Sequence, residues 1–104
     1  MAMAEIGATE KGGCRRLTLT DLDRTGRDLF VRWCEDAGCE VTVDIIGNIF
    51  ARRPGKDLNR MPVMAGSHLD TQPTGGRFDG VLGVLAALEV VRTLNDHSVE
   101  TDSP

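Results

Sequence analysis

Long apolar runs are missing from this chain. None approaches the roughly 18 residues needed to cross a bilayer, and the first residues lack the apolar core of a secretory leader. A basic excess is missing as well. Twelve lysines and arginines stand against sixteen aspartates and glutamates, for a net charge of −4. That balance argues against nucleic acid or an anionic membrane as a partner, because binding phosphates takes a basic face. Cysteines are few: Cys14, Cys34 and Cys39 are odd in number and form no CxxC pair. They argue against a disulfide scaffold and against a structural zinc knot. Reduced, partly buried thiols are expected instead. Internal repeats and low-complexity stretches are absent too. A cytoplasmic location is the expectation that follows.

What is present fits an ordinary globular chain. Hydrophobic residues make up 40% and charged residues 27% of 104 residues. A chain of this size is one domain at most and buries about 60–65% of its unfolded surface. Residues 1–16 are small, polar and glycine-containing, with Gly7, Gly12 and Gly13, and read as a poorly ordered lead-in. Thr20 opens a helix, with Asp23 three residues on as an approximate capping box, and Gly38 ends it. Leu22, Leu29, Phe30, Trp33 and Ala37 share one side of that helix, and Arg24, Arg27, Asp28, Arg32 and Glu35 lie elsewhere.

Val41, Val43 and Ile45 alternate with Thr42 and Asp44, which is strand periodicity. Gly47-Asn48 is turn chemistry and Ile49-Phe50-Ala51 resumes an extended run, so a hairpin is expected. Residues 54–62 are a polar loop holding Pro54 and Pro62. Val63-Met64-Ala65-Gly66 fits a short buried central strand. A second helix is expected over residues 80–94. Its apolar positions, Val81, Leu82, Val84, Leu85, Leu88, Val90, Val91 and Leu94, run nearly all the way round, and such a helix is built to be covered on every side. One other helix and about three strands can hardly do that, so the chain reads as a truncated α/β polypeptide that leaves apolar helix surface exposed. Residues 98–104 form a polar tail.

The chemistry is concentrated in Gly66-Ser67-His68-Leu69-Asp70-Thr71 and Gly75-Gly76-Arg77-Phe78-Asp79-Gly80. His68 follows the expected strand at its C-terminal end, where open α/β sheets place their ligands. Residues two apart in extended backbone point the same way. The Asp70 carboxylate can therefore bond one nitrogen of the His68 ring and leave the other free for a metal, the usual support of a ligating histidine. The glycines let the loop fold back and bring Asp79 towards His68. Each residue also has a duller reading. Asp79 could be only a helix N-cap, Asp70 a turn cap with Thr71, and His68 a satisfied polar group. The combination is what favours a metal site.

The string GSHLDTQPTGGRFDGVLGVLAALEVVRTL, with Gly12-Gly13, Arg16-Leu17, Leu19-Thr20, Arg27-Asp28, Trp33 and Gly47-Asn48, resembles the zinc-dependent family of N-carbamoyl-L-amino-acid hydrolase, allantoate amidohydrolase, aminoacylase and carboxypeptidase G. The short glycine loop before Phe78-Asp79-Gly80 points to the ureido-hydrolysing branch. The resemblance implies a partial α/β/α zinc-hydrolase catalytic domain, with residues 17–97 its N-terminal part. It makes His68 a ligand of one metal, Asp79 the carboxylate bridging two metals, and Asp70 the residue that orients His68. The cofactors implied are two divalent ions, zinc or manganese or cobalt, which activate water for C–N cleavage. A small ureido or amide substrate and a homodimer formed through a further domain are implied for the complete form.

The family pattern also contains a strand ending in paired acidic residues, later histidine ligands and an inserted lid-and-dimerisation domain, none of which this sequence holds. His97, near a helix C-terminus, and Glu100 cannot stand in for them. Two protein ligands are fewer than the three or four of ordinary zinc sites, so the chain by itself is expected to bind metal weakly and not to turn over substrate. Two other readings compete: a truncated non-catalytic remnant, and a small module whose apolar helix docks on a partner. A nucleophile-type hydrolase is poorly supported, since Ser67 lacks a G-x-S-x-G elbow and no cysteine is marked as activated.

Overall fold

The computed structural model describes residues 2–104. Five elements follow in order: α1 (Ala2–Glu5), α2 (Asp21–Asp36), β1 (Glu40–Val43), β2 (Ile49–Arg52) and α3 (Asp79–Asp96). Thr20 sets the start of α2, its hydroxyl accepting from the Asp23 backbone N–H at 3.2 Å. Asp23 returns the bond one residue further back, accepting from the Leu19 N–H at 3.0 Å. This is a capping box displaced by one residue, and it satisfies two N–H groups that a helix start leaves unpaired. At the other end Gly38 adopts a φ of +83°, the left-handed conformation that stops a helix at little cost.

The two strands form an antiparallel hairpin with Glu40 opposite Arg52 and Val43 opposite Ile49. The strand expected to reach Ile45 stops at Val43, because the Asp44 carboxylate takes over the backbone. It accepts from the N–H groups of Ile46 and Asn48 and from the Asn48 side-chain amide. These bonds, the Asn48 side chain first, hold the Asp44 carboxyl below its ordinary 3.8. Arg27 of α2 donates to the Gly47 carbonyl and ties the turn to the helix.

The core lies between α2 and α3. One cluster joins Met3, Leu69, Val81 and Val84, and a second joins Cys34, Cys39 and Leu88. Phe30, Trp33 and Leu85 pack against both and make them continuous. Leu29, Phe30 and Trp33 take the inward positions that their spacing predicts, whereas Leu22 stays half-exposed because the apolar contribution of α2 begins at Leu29. Only one side of α3 is covered. Val81, Val84 and Leu88 are buried, but Leu82 and Val90 remain 61% and 59% exposed. The helix therefore carries apolar surface on a face that the described residues do not cover.

Two expectations are corrected. The first is the poorly ordered lead-in over residues 1–16 (Met1 lies outside the described residues). Met3, Ala4, Cys14 and Arg16 are among the most buried side chains of the protein. Gly7 and Gly12, at φ +87° and +80°, turn the segment back on itself, so glycine here makes reversals and not slack. Cys14 then exchanges N–H and carbonyl with Gly75, at 2.8 and 3.0 Å. The second is the buried central strand at residues 63–66. The segment carries no strand, and Val63 and Met64 are 87% and 71% exposed. A central strand needs a ladder on both edges, and the described residues supply two strands, which pair with each other. The polar tail is tied down: Thr101, Asp102 and Pro104 accept from the backbones of Lys56, Asp57 and Val63.

Candidate metal centre

The loop between residue 66 and α3 is anchored by alternate residues. Leu69 and Thr71 are buried, at 9% and 5% exposure, so His68 and Asp70 face the other way, towards solvent. The alternation is that of extended backbone without a partner strand. It brings His68 and Asp70 together as their spacing predicts. His68 Nδ1 lies 3.3 Å from Asp70 Oδ1, and the Asp70 carbonyl oxygen is closer still, at 3.0 Å. Both oxygens accept, so the contact is a hydrogen bond when the Nδ1 proton is in place, and the geometry suits the Nδ1–H tautomer. The carboxylate is thus not the sole partner of the ring. Asp70 holds His68 with its main chain as well as its side chain.

Asp79 approaches from the start of α3. Its Oδ2 lies 4.0 Å from His68 Nε2, on the side of the ring opposite Asp70. The N-cap of α3 is Phe78, with no side-chain cap bond, and Asp79 is the first helical residue. Its carboxylate is therefore not consumed in a cap bond. The helix N-terminus favours its negative charge. Gly80 makes the approach possible, because a Cβ there would overlap three atoms of the His68 ring. A Cβ at Gly83 would lie 3.0 Å from that of Ser67, so a second glycine brings α3 against the same loop. The three side chains keep 53%, 39% and 42% of their surface exposed for His68, Asp70 and Asp79. The site is an open shelf reachable by small solutes.

The donor set is small. Among the described residues no group of three or more histidine, cysteine, aspartate or glutamate side chains is placed to hold an ion. His97 bonds the Thr93 carbonyl at 2.9 Å on the last turn of α3, and Glu100 is exposed. Arg77 is also exposed. The cysteines are free and buried. Burial first, and then the neighbouring Cys39, push the Cys34 thiol up to about 11, and burial raises Cys39 too. Protonated thiols of this kind are neither ligands nor nucleophiles at neutral pH.

No family model matches the chain. It is 58% identical over all 104 residues to an N-carbamoyl-L-amino-acid amidohydrolase of Rhizobium meliloti, covering 25% of that protein. Its backbone superposes with a TM-score of 0.98 and 63% identity on the crystal structure of a hydantoinase/carbamoylase-family amidase from Burkholderia multivorans, over 99% of this chain and 25% of that one. Over its whole length the chain is similar to one part of the hydantoinase/carbamoylase amidases. It spans about a quarter of the length of these relatives. Similarity extends to the allantoate deiminase 1 of Glycine max, at 36% identity over 84 residues, or 81% of this chain and 17% of that protein. The backbone match makes this chain a partial domain of the amidase fold.

Within the amidase segment two supporting residues escape a reading of motifs. Arg16 donates to the Leu69 carbonyl, between His68 and Asp70. Thr71 accepts from the Arg16 N–H at 2.7 Å. An arginine in the tandem Arg15-Arg16 pair after a glycine-rich stretch carries no spacing signal. Only the Arg16-Leu17 pair in the family resemblance draws the eye to it.

Proposed function

We propose that this chain is the amino-terminal, metal-holding segment of a hydrolase that cleaves C–N bonds of N-carbamoyl amino acids or allantoate-like ureido compounds, and not peptide bonds. The observation that carries the reading is the orientation of one imidazole. Asp70 occupies Nδ1 of His68, and Nε2 faces the Asp79 carboxylate at 4.0 Å. The names and identities of the relatives support the reaction class.

The donors suit a divalent ion. An imidazole nitrogen facing a carboxylate oxygen is a pair that zinc, manganese or cobalt accepts. In this proposal His68 would be a ligand of one ion, Asp79 would be shared between two, and Asp70 would orient the ring that presents Nε2. The chemistry such ions supply is polarisation of the scissile carbonyl and acidification of a bound water. The part of this chain is to keep the His68 ring in one tautomer and orientation, through two oxygens of Asp70, and to keep Asp79 free of capping duty. The remaining ligands, the general base and the contacts of a homodimer belong to the rest of the whole protein.

One observation favours a second reading, a non-catalytic remnant: two donor side chains fall short of the three or four of ordinary zinc sites. A chimera separates the two. The Rhizobium meliloti amidohydrolase is made with its corresponding quarter replaced by this chain and assayed for ammonia release from N-carbamoyl-L-amino acids. The proposal expects hydrolysis that His68→Ala or Asp79→Ala removes. A folded chimera that is inactive, or one indifferent to both substitutions, would favour the remnant.

A further inference from the structure

Arg16 is 1% exposed, and its guanidinium is committed to main-chain carbonyls. Nε and Nη2 both donate to the Leu69 carbonyl, at 3.0 and 2.7 Å. Nη1 donates to the carbonyls of Met3 and Ile6, at 2.9 and 2.7 Å, and lies 3.3 Å from Cys14 Sγ. Among the described residues no carboxylate pairs with it. Burying a cation is costly unless it is fully hydrogen-bonded, so a side chain placed this way must hold something that plain apolar packing would not. What it holds is one peptide group. Leu69 separates His68 from Asp70, and its carbonyl is gripped by two N–H groups of one rigid fork.

The backbone on either side is held as well. Thr71 N–H donates to the Arg16 carbonyl at 2.7 Å, and Arg16 N–H donates to the Thr71 hydroxyl at 2.7 Å. The side chain reaches this position by crossing α2 at Gly26, where a Cβ would stand 2.9 Å from Arg16 Cδ. A glycine inside a helix is less favourable than alanine. Tolerating it here fits a demand for the arginine. The segment has no partner strand to set its register, and Arg16 supplies that setting from a different part of the chain.

We infer that Arg16 is a positioning residue for the proposed metal ligand. Its fork fixes the 68–70 backbone so that both oxygens of Asp70 meet Nδ1 of His68 and Nε2 is left bare. The inference rests on the role proposed above for His68 and extends it to a residue 52 positions earlier in the chain. An ammonium cannot reproduce a planar fork, so Arg16→Lys keeps the charge and loses the grip.

The test reads the His68 tautomer in the metal-free 104-residue chain, by long-range proton–nitrogen correlation at mildly alkaline pH. Wild type, Arg16→Met and Arg16→Lys are compared, with the methyl signals of Val84 and Leu88 reporting the core. The wild type should show the Nδ1–H form. Both variants should move towards the Nε2–H form that a free imidazole prefers, the lysine variant with its core signals unchanged. A wild-type tautomer retained in a folded variant would overturn the inference. So would collapse of the core in both variants, which would make Arg16 a general structural residue. Because no metal is present, failure of the wild type to bind zinc would defeat the metal reading alone and leave this comparison decisive.

Discussion

Replacing Gly80 with alanine should separate stability from site geometry. The added Cβ would overlap the Cδ2, Nε2 and Cε1 atoms of His68. Two responses are open: the helix can retreat or the ring can swing away. The His68 side chain is 53% exposed, whereas Val81 and Val84 fix the same stretch of α3 in the core at 2% and 8% exposure. The ring is the softer element. Swinging it out forfeits little packing, while alanine gains up to about 1 kcal/mol of helix propensity, less near a first turn. The chain should therefore stay within about 1 kcal/mol of wild type, or rise. Zinc affinity should fall at least about 10-fold, the lower bound for disturbing a residue that orients a ligand. Urea unfolding followed by the single tryptophan, Trp33, gives the first quantity, and calorimetry gives the second. Unchanged zinc affinity with an unmoved His68 ring would refute the argument. A loss of more than about 2 kcal/mol would show that α3 had retreated instead.

Leu88→Ala should cost about 2–5 kcal/mol, because Leu88 is 5% exposed and closes the cluster with Cys34 and Cys39. In a chain this small that loss should remove cooperative urea unfolding, and a change under about 1 kcal/mol would count against the cluster. The Cys34 thiol, raised from 9.0 to about 11, keeps its proton in the folded chain over a window where the unfolded chain releases it. The folded form then binds more protons, so stability should decline as pH rises from about 9 to 11. Cys34→Ala should flatten that decline, and a decline of the same size without the thiol would contradict the assignment.

Much of the geometry of the candidate site was legible because its residues are close in sequence. His68 and Asp70 meet through the two-residue period of extended chain, and Asp79 returns through a glycine loop of ten residues. The capping of α2 at Thr20 and the hairpin about Gly47 are equally local, and both form. What stayed hidden depends on distant contacts. The burial of Met3, Cys14 and Arg16 follows from pairing with residues 69–75, and a composition rich in glycine, alanine and charge carries no sign of that. The segment 63–66 has the composition of a central strand, but composition cannot supply the neighbouring ladders, and without them it lies open. The exposed face of α3 reflects the same shortage of partners.

The central claim is that His68 and Asp79 converge on one cation with Asp70 behind the ring. Zinc and manganese titrated by calorimetry into the purified chain, beside His68→Ala and Asp79→Ala, test it most directly. The account predicts weak binding of zinc or manganese that each substitution abolishes. Binding that survives either substitution unchanged would contradict it.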